Sequence, residues 1–410
     1  MRSAAKWPVL PLTEAFWFQE GPGVRNWQFT TSGIKLLNVA NIEKDGTLNL
    51  EKTDRHLDES EVAKKYSHFI IDAGDLVIAS SGISFDDDGL LRTRGAFVRS
   101  DQLPLCLNTS TIRFKAIDGI SDLRFLRFWL DSREFRSQIT KLVTGTAQQN
   151  FGPSHLKATK ISIPPLPEQR RIAEILDKAD ALRAKRRAAL AQLDTLTQSI
   201  FLDMFGDPAT NPKGWPQVPI GDHASKIGSG ATPRGGEEAY KAAGVTLIRR
   251  MNVRDGAFLK DGLAFIDDEQ AAPLEGVVVE ANDILLNITG ASVARVCRAP
   301  EDVLPARVNQ HVAIIRPTAA FNPHFLEQCL LSPSVKERLL KTARAGATRE
   351  AITKSAIEQF KVIRAPRELQ DQFADRVAAK EDTYCRMHAA LSEVDSLFAS
   401  LQHRAFQDNL

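Results

Sequence analysis

The apolar positions between Pro165 and Gly206 recur at alternating steps of three and four residues, which is typical of a helix with one apolar face. Pro167 and Glu168 suit the first turn of such a helix. A missing N–H costs nothing there, and a carboxylate meets the positive end of the helix dipole. Gly206 predicts the end of the helix. About 40 residues at 1.5 Å each predict a rod of roughly 60 Å.

A second segment with the same apolar seam starts at Ala365 and continues to residue 410. Two long helices with matching seams predict a coiled coil. They could also each dock against a partner protein, and the two roles are compatible because several apolar side chains broaden the surface beyond the seam. The side chains expected to bind a partner are Ile172, Ile175, Leu190, Phe201, Phe205, Phe373, Leu397 and Phe406.

Outside the two helices, the pattern predicts short strands and short helices in both halves. Amphipathic segments at residues 122–142 and 323–341 predict helices, each followed by a glycine-containing loop. Strands followed by helices favour an α+β fold over a parallel βαβ sheet. The predicted strands are residues 36–39, 76–79, 111–114, 245–248, 284–287 and 312–315.

The chain repeats itself once. Trp7 recurs as Trp215 and Asp75 as Asp283, both displaced by 208 residues (215 minus 7; 283 minus 75). Farther along, matching residues are displaced by 201, as for Gln169 and Gln370 (370 minus 169). Seven fewer residues between the two sets of landmarks predict a shortened loop in the second copy. The same relation predicts that the first residues pack near Phe406, in a circular layout with pseudo-twofold symmetry.

Composition sets ordinary limits. The 410 residues include 43% apolar side chains, enough for two cores, and no stretch approaches the roughly 18 apolar residues of a membrane helix. Without the apolar run of a signal peptide, the chain is expected in the cytoplasm. The 53 basic and 51 acidic residues nearly balance, so binding to a polyanion would depend on local patches. The four widely spaced cysteines predict buried reduced thiols.

Motifs of catalysis are missing from the sequence. It has no phosphate-binding glycine loop, no H-E-x-x-H zinc motif and no G-x-S-x-G nucleophile elbow. His155 and His311 stand alone, and a lone histidine is more often structural than catalytic. The run Asp86-Asp87-Asp88 could hold a cation, but its place beside Gly89 favours a solvated turn. No cofactor is expected, and any methyl transfer would belong to another chain.

At the start of the first helix stand residues 164–169, PPLPEQ. Duplicated halves that each lead into a long helix in this way resemble the specificity subunit of a Type I restriction-modification enzyme. Residues 20–26 and 146–156 resemble segments recurrent in one class of its recognition domains, and residues 229–233 resemble a turn found in others. The second helix start, residues 365–370, departs from the pattern because it lacks the double proline and the Glu-Gln pair in register.

This resemblance implies a noncatalytic subunit in which two target-recognition domains each bind one half of a split, asymmetric DNA site. Two long antiparallel helices would separate the domains, set the spacer and bind two methyltransferase subunits, with restriction subunits as further members of the complex. The expected division is a first recognition domain over 1–163, a central helix over 164–207, a second recognition domain over 208–364 and a distal helix over 365–410.

Base edges in the major groove are contacted by a few polar side chains on loops, while basic side chains hold phosphates. Clusters beside glycine are favoured because glycine lets the backbone approach a phosphate. In the first half the candidates are Arg25, Asn26, Gln28, Ser80, Ser81, Arg92, Arg94, Gln148, Gln149 and Asn150. In the second half they are Lys226, Thr232, Arg234, Arg249, Arg250, Asn252, Asn287, Thr289, Arg295, Arg344, Thr348 and Arg349.

Several alternatives stay open. The basic run Arg183, Lys185, Arg186 and Arg187 is most simply the solvated face of a coiled coil, but it could contact phosphate or an acidic partner. The chain could act in a related methylation-based phage-defence system without a restriction subunit. A coiled-coil adaptor would explain the helices but not a pair of differing loop-rich domains. A self-contained nuclease or methyltransferase would need catalytic residues that the sequence lacks.

Overall fold

The computed structural model describes residues 7–82, 84–86, 88–143, 150–344 and 350–406. Internal contacts divide the chain into two units. Unit 1 comprises Met1–Arg186 together with Ala390–Leu410, and unit 2 comprises Arg187–Ala389. Each unit therefore contains part of both long helices and one copy of the strand-rich region between them.

Strands and short helices alternate along unit 1. Its strands are β1 (Val9–Pro11), β2 (Phe16–Glu20), β3 (Ile34–Leu37), β4 (His56–Leu57), β5 (Leu76–Ala79), β6 (Ser84–Phe85), β7 (Leu91–Arg92), β8 (Gly95–Phe97), β9 (Leu105–Leu107), β10 (Thr111–Ala116) and β11 (Lys160–Ser162). Its short α-helices are α1 (Leu12–Ala15), α2 (Glu59–Glu61), α3 (Leu123–Leu130), α4 (Arg133–Leu142) and α5 (Pro153–Lys157), and the first long helix is α6 (Leu166–Phe205).

Unit 1 is layered around strand β5. The main sheet is antiparallel, in the order β2-β10-β5-β8, and a second sheet runs β4-β3-β9 with β3 parallel to β9. Leu76 and Ile78 of β5 face a core shared with helix α3, whereas Val77 and Ala79 face a core shared with the second sheet. Both faces of β5 are thus covered, which explains why its sequence is wholly apolar.

Unit 2 contains a corresponding set of elements. Its strands are β12 (Gln217–Pro219), β13 (Ala224–Ser229), β14 (Val245–Ile248), β15 (Val253–Arg254), β16 (Ala257–Phe258), β17 (Ala264–Ile266), β18 (Val278–Val279), β19 (Ile284–Asn287), β20 (Val296–Arg298), β21 (Ala306–Val308), β22 (Val312–Pro317) and β23 (Lys361–Ile363). Its short α-helices are α7 (Asp268–Ala271), α8 (Pro323–Leu331), α9 (Pro333–Arg344) and α10 (Lys354–Gln359), and the second long helix is α11 (Arg367–Ala405).

The sheets of unit 2 follow the order of unit 1. The main sheet runs β13-β22-β19-β20, and the second sheet runs β17-β14-β21-β18 with β14 parallel to β21. On β19, Ile284 and Leu286 face the helical core while Leu285 faces the second sheet. A two-stranded ribbon, β1 with β11 or β12 with β23, connects each strand-rich region to its long helix. The mixed helix-and-sheet class is confirmed.

The predicted elements are largely confirmed, with two differences. Strand β3 ends at Leu37, two residues before the predicted bound. The two predicted amphipathic helices are each broken once, into α3 and α4 and into α8 and α9. In unit 1 the Ser132 hydroxyl accepts a hydrogen bond from the backbone N–H of Phe135 and starts a new helix, as N-cap serines do. In unit 2 the break falls at Ser332, immediately before Pro333.

Both long helices begin on a buried glutamine. In α6, Gln169 donates to the carbonyls of Ile120 and Pro164 at 2.7 and 2.8 Å and accepts from the backbone of Asp122 at 2.9 Å. In α11, Gln370 repeats this pattern on the backbone of residues 320, 365 and 322. The repeat landmark at displacement 201 is therefore a side chain that joins a helix start to the loop before α3 or α8.

The first six residues, predicted to pack near Phe406, lie outside the described residues; Trp7 packs against the core of unit 1 that includes Phe406. The equivalent Trp215 of unit 2 donates its indole N–H to the carbonyl of Phe205 at 3.0 Å. No helix among the described residues is long and apolar enough to cross a membrane.

Cys106, Cys297 and Cys329 are buried and free of disulfides, as predicted, and burial raises the pKa of each thiol to about 12. The fourth cysteine, Cys385, is also free but exposed, so the prediction of burial was wrong there. It lies on helix α11, in a stretch where few side chains are enclosed.

Candidate nucleic-acid interface

In each unit, loops that leave the main sheet are held together by the same main-chain hydrogen bonds. In unit 1 the N–H of Ser80 donates to the carbonyl of Ser110, and the N–H of Phe151 donates to the carbonyl of Ser80, both at 3.0 Å. We call this group of loops, residues 20–28, 80–82, 108–110 and 150–152, loop cluster 1. The bonds come from the backbone, so they leave the side chains free to differ.

Loop cluster 2, in unit 2, comprises residues 229–234, 250, 287–290, 309–311 and 350–352. There Ile288 donates to the carbonyl of His311 at 3.0 Å, and Ile352 donates to the carbonyl of Ile288 at 2.8 Å. These residues stand at displacements of 208 and 201 from Ser80, Ser110 and Phe151. The two clusters therefore share a frame and differ in side chains.

Glycine is required where the loops turn. Gly82 and Gly290 have φ values of +62° and +73°, a region that other residues adopt at a cost of about 1–2 kcal/mol. A Cβ on Gly21 would overlap the backbone of Asn108, and a Cβ on Gly230 would overlap the carbonyl oxygen of Val308. The loop after β2 or β13 thus lies directly on the loop after β9 or β21.

The predicted contacts of unit 1 fall into exposed and buried groups. Arg25, Asn26, Arg92 and Asn150 are exposed, and Ser81 is half-buried beside Gly82. Arg94 is also half-buried and donates to the carbonyls of Ile42 and Gly82 at 3.3 and 3.4 Å. The predicted contacts Gln148 and Gln149 lie outside the described residues.

Gln28 and Ser80 have internal roles instead. Gln28 is 8% exposed, and its amide donates to Glu61 and to the hydroxyl of Tyr66 at 3.0 Å each while accepting from the backbone of Arg25. Ser80 is 2% exposed. Burial argues against direct DNA contact by either side chain, and Gln28 fixes the turn on which Arg25 and Asn26 stand.

In unit 2, Arg234, Arg250 and Arg344 are exposed, and Thr289 and Arg295 are half-buried beside the Gly290 turn. Arg344 donates to Glu350 at 3.0 Å. Thr232, also half-buried, donates to Gln310 at 2.6 Å. Lys226 lies within strand β13, paired with Arg316, and stands apart from loop cluster 2. The predicted contacts Thr348 and Arg349 lie outside the described residues.

Three candidate residues of unit 2 make contacts within the fold. Asn252 and Asn287 are fully buried: Asn252 donates to the carbonyl of Leu259 at 3.0 Å, and Asn287 donates to that of Arg250 at 2.9 Å. Arg249 donates to Glu237 and to the carbonyl of Gly262, and its guanidinium lies 5.2 Å from the ring centre of Tyr240. These contacts shape the loop that presents Arg250.

The equivalence of Asn252 to a residue of unit 1 escaped the sequence reasoning. Asn41 accepts from the backbone of Asn38 and donates to the carbonyl of Asn49, as Asn252 does with Arg249 and Leu259. The displacement here is 211 (252 minus 41). The sequence could have revealed this, because the same asparagine occurs in both copies at that displacement. A polar residue kept in both copies of a repeat is a candidate for structure rather than for half-site recognition.

A cavity of about 480 Å3 opens at loop cluster 1. Glu20, Thr109, Asn150 and His155 are among the residues that line it. Burial raises the pKa of the Glu20 carboxyl. His155 accepts the N–H of Gly152 at its Nδ1, at 3.1 Å, which places its ring proton on Nε2. Neither Glu20 nor His155 was among the predicted DNA contacts.

The acidic run beside this cluster is explained without a metal ion. Asp86 pairs with Arg136 and accepts from the backbone of Leu90, while Asp87 lies outside the described residues. Among the described residues, no group of three or more histidine, cysteine, aspartate or glutamate side chains could hold a metal ion.

Most of the apolar side chains predicted to bind a partner are enclosed by this chain, which corrects that assignment. Phe201 and Phe205 pack with Phe373 in unit 2, at ring distances of 5.6 and 5.7 Å, and all three are fully buried. Ile172 and Phe406 are buried in the core of unit 1. Because these five positions complete the two cores, they offer no surface to a second protein. Leu190 lies outside these cores and is 8% exposed. Ile175 is half-buried and Leu397 is 58% exposed.

The basic run on α6 is divided in its roles. Arg183 pairs with Asp180 at 3.0 Å and with Asp395 at 2.5 Å, and its guanidinium lies 4.1 Å from the ring centre of Phe398. It therefore joins the two long helices inside unit 1. Lys185 and Arg187 are exposed, which agrees with the solvated face that the run predicts.

Comparisons with known proteins give matches to Type I restriction-modification proteins. Residues 35–192 match the family model described as the Type I restriction modification DNA specificity domain. The chain is 27% identical over 194 residues to the Type I restriction enzyme MjaVIII specificity subunit of Methanocaldococcus jannaschii, covering 47% of this chain and 44% of that protein. It is 23% identical over 347 residues to the EcoBI specificity subunit of Escherichia coli, covering 75% and 70%.

A solved structure described for complex assembly and conformational transition of the Type I restriction-modification system has a chain of similar fold. The TM-score is 0.60 at 17% identity, over 99% of both chains. The segment matched to the Methanocaldococcus protein spans less than half of that relative. The resemblance deduced from the repeat and the helix starts is confirmed: residues 35–192 match the Type I restriction modification DNA specificity domain, and the chain is similar to Type I specificity subunits.

Proposed function

We propose that this chain is the noncatalytic DNA-recognition subunit of a Type I restriction-modification complex in the cytoplasm. In this proposal loop clusters 1 and 2 each bind one half of a bipartite asymmetric DNA site. The observation that carries it is the matched backbone of the two clusters with unlike side chains. A shared frame gives two half-sites the same approach, and different side chains give them different sequences.

The exposed side chains supply the chemistry for this role. Arg25, Asn26 and Asn150 in cluster 1 and Arg234 and Arg250 in cluster 2 are accessible on or beside glycine turns. Arginine contacts guanine or phosphate, and asparagine contacts adenine. The buried candidates Gln28, Ser80, Asn252 and Asn287 are omitted from the proposed contacts because they expose almost no surface to DNA.

The long helices would pair antiparallel and set the spacer between the half-sites. Contacts inside each unit support this pairing, since Arg183 of α6 contacts Asp395 of α11 whereas Phe201 contacts Phe373. Residue numbers therefore rise along α6 in the direction in which they fall along α11. In this arrangement recognition domains over 1–163 and 208–364 alternate with helices over 164–207 and 365–410, with pseudo-twofold symmetry.

The helices would also bind two methyltransferase subunits, and restriction subunits would join the same complex. The exposed apolar side chains available for this are Leu182, Leu196, Leu202 and Leu397. Co-expression with a methyltransferase subunit, followed by the mass of the purified complex and mapping of methylated adenines, tests the assignment. The expected result is two methyltransferase subunits per chain and a motif with two unlike halves. Methyl transfer or DNA cleavage by the isolated chain would contradict it.

Arg250→Ala separates the two half-sites. Arg250 is exposed and its guanidinium approaches the Gly290 turn. We expect about a tenfold loss of affinity or relaxed recognition at one half-site alone, because one bidentate base contact contributes about 1–3 kcal/mol. Arg254→Ala removes an exposed arginine elsewhere in unit 2 and is the matched control. Equal effects of the two variants would place the interface elsewhere.

A further inference from the structure

Glu20 ends strand β2 at the mouth of the cavity in loop cluster 1. Among the described residues, no hydrogen-bond donor contacts its carboxylate, although burial raises its pKa. A carboxylate that has lost part of its hydration without gaining a donor is stabilised by a ligand that supplies one. Thr109, Asn150 and His155 also line the cavity, together with the apolar side chain of Phe151.

Space in front of this carboxylate is kept open by Gly152. A Cβ at Gly152 would lie 3.6 Å from Oε1 and 3.9 Å from Oε2 of Glu20. The backbone of Gly152 is extended, with φ −131° and ψ −170°, so the conformation itself does not require glycine. The missing side chain therefore serves the cavity rather than the turn.

We propose that Glu20 accepts a hydrogen bond from the exocyclic amino group of one base, adenine or cytosine, in the half-site bound by unit 1. The inference rests on the proposed function of this chain and adds a specificity-determining residue to it. In the major groove adenine and cytosine present an amino donor, whereas guanine and thymine present carbonyl oxygens that a carboxylate repels. Glu20 thus selects by attraction to two bases and by exclusion of the other two.

Unit 2 places a different residue at this position. Strand β13 ends at Ser229, directly before Gly230, as β2 ends at Glu20 directly before Gly21. A serine hydroxyl both donates and accepts and carries no charge. The exclusion of guanine and thymine is therefore expected in the half-site of unit 1 and absent from the matching position of the other half-site.

The test uses the complete complex with its methyltransferase subunits and a plasmid library with random target sequences. Glu20→Ala is expected to relax one position of one half-site, so that methylation of sites with guanine or thymine there rises about tenfold relative to wild type. Gly152→Ala, which places a methyl group in van der Waals contact with the Glu20 carboxylate and keeps the charge, should impair the same position. Glu14→Ala, an exposed glutamate on α1, is the matched control and should leave the motif unchanged.

Base analogues, tested on the wild-type complex and on Glu20→Ala, then identify the base. Purine in place of adenine, or 2-pyrimidinone in place of cytosine, removes only the amino group. One substitution in the half-site of unit 1 should weaken binding about tenfold in wild type and have no further effect in Glu20→Ala. An unchanged motif in Glu20→Ala, or a loss spread over all positions, overturns the role of Glu20. The proposed function survives that outcome if the motif still has two halves.

Discussion

Loop clusters 1 and 2 are built on the same hydrogen bonds and present different chemistry. Where unit 1 has Ser80 and Ser110, unit 2 has Ile288 and His311, yet the N–H to carbonyl distance is 3.0 Å in both. The bond uses only main-chain atoms, so it is preserved through these side-chain changes. The side chains of the two clusters can therefore differ, as different half-sites would require, without loss of this bond.

A contrasting pair shows the opposite rule. Gln169 and Gln370 are both glutamines, both fully buried, and each makes three hydrogen bonds through its side chain. Where a side chain itself satisfies buried backbone groups, the repeat keeps the residue. The two units thus agree in side chains at the helix starts, whereas the loops share backbone bonds and turn glycines but differ at positions such as Ser80 and Ile288.

Removal of Phe205 or Phe406, the phenylalanines at the C-terminal ends of the two long helices, should give the largest loss of stability. Phe205 contacts Phe325 at 4.8 Å, and its equivalent Phe406 contacts Phe125 at 5.3 Å. Phe205→Ala and Phe406→Ala should each lower the free energy of unfolding by about 3–5 kcal/mol, because each leaves a core cavity. Urea unfolding measures this, with the exposed Leu202→Ala as control. A loss of methyltransferase binding without destabilisation would restore the predicted partner role.

The glutamine pair gives the next largest effect. Gln169→Ala or Gln370→Ala leaves one buried N–H and two carbonyls without their partner, at a cost of about 3 kcal/mol. The two variants should be destabilised equally in thermal unfolding, since the bonds are the same in both units. Gln372→Ala, on the exposed side of α11, should change little. A large inequality between the two would break the equivalence of the helix starts.

Alanine at the glycine turns should cost about 1–2 kcal/mol, because φ is positive at both. The two sites differ in what a Cβ meets. A Cβ at Gly290 would lie 3.1 Å from the guanidinium of Arg250, whereas a Cβ at Gly82 would lie 3.9 Å from that of Arg94, a looser contact. Gly290→Ala should therefore weaken DNA binding more than Gly82→Ala at equal stability. Equal losses of DNA affinity in a binding titration would argue against a DNA contact made by Arg250.

The smallest effect is an acid sensitivity confined to unit 2. Burial, and then nearby Arg298, lowers the pKa of His324 to about 4. The unfolded chain binds a proton at this histidine below about pH 6.5 while the folded chain does not, so its contribution to stability is lost as the pH falls from 6.5 towards 4. The equivalent residue of unit 1 is Arg124, at a displacement of 200.

His324→Gln should remove this dependence, which is on the order of 1 kcal/mol for a partly exposed group. Hydrogen exchange at pH 7 and pH 5 resolves the two units and should show the change in unit 2 alone. His403→Gln, an exposed histidine in unit 1, is the control. A change of equal size in both units would contradict the assignment to His324.

Periodicity and repetition predicted the helices and strands, because at those positions each residue type has one main structural role. The apolar run of β5 and the glycine after Phe205 are dictated by burial and by helix termination. The loops were predicted less well, since an asparagine that holds a turn and one that contacts DNA have the same side chain. Asn252 and Asn26 differ only in burial, which depends on packing between segments far apart in sequence. Comparison of the two copies at their local displacement separates some of these cases.

The sharing of α11 between the units bears on how the chain folds during synthesis. Unit 2 is a continuous stretch, whereas the core of unit 1 includes Phe398, Ala405 and Phe406, more than 200 residues after its strands. On the ribosome, unit 2 has all its residues first, and unit 1 waits for the segment that closes its core. Until then the apolar face formed by Phe125 and Phe128 stays uncovered. The strand-rich region encoded first is thus the one completed last.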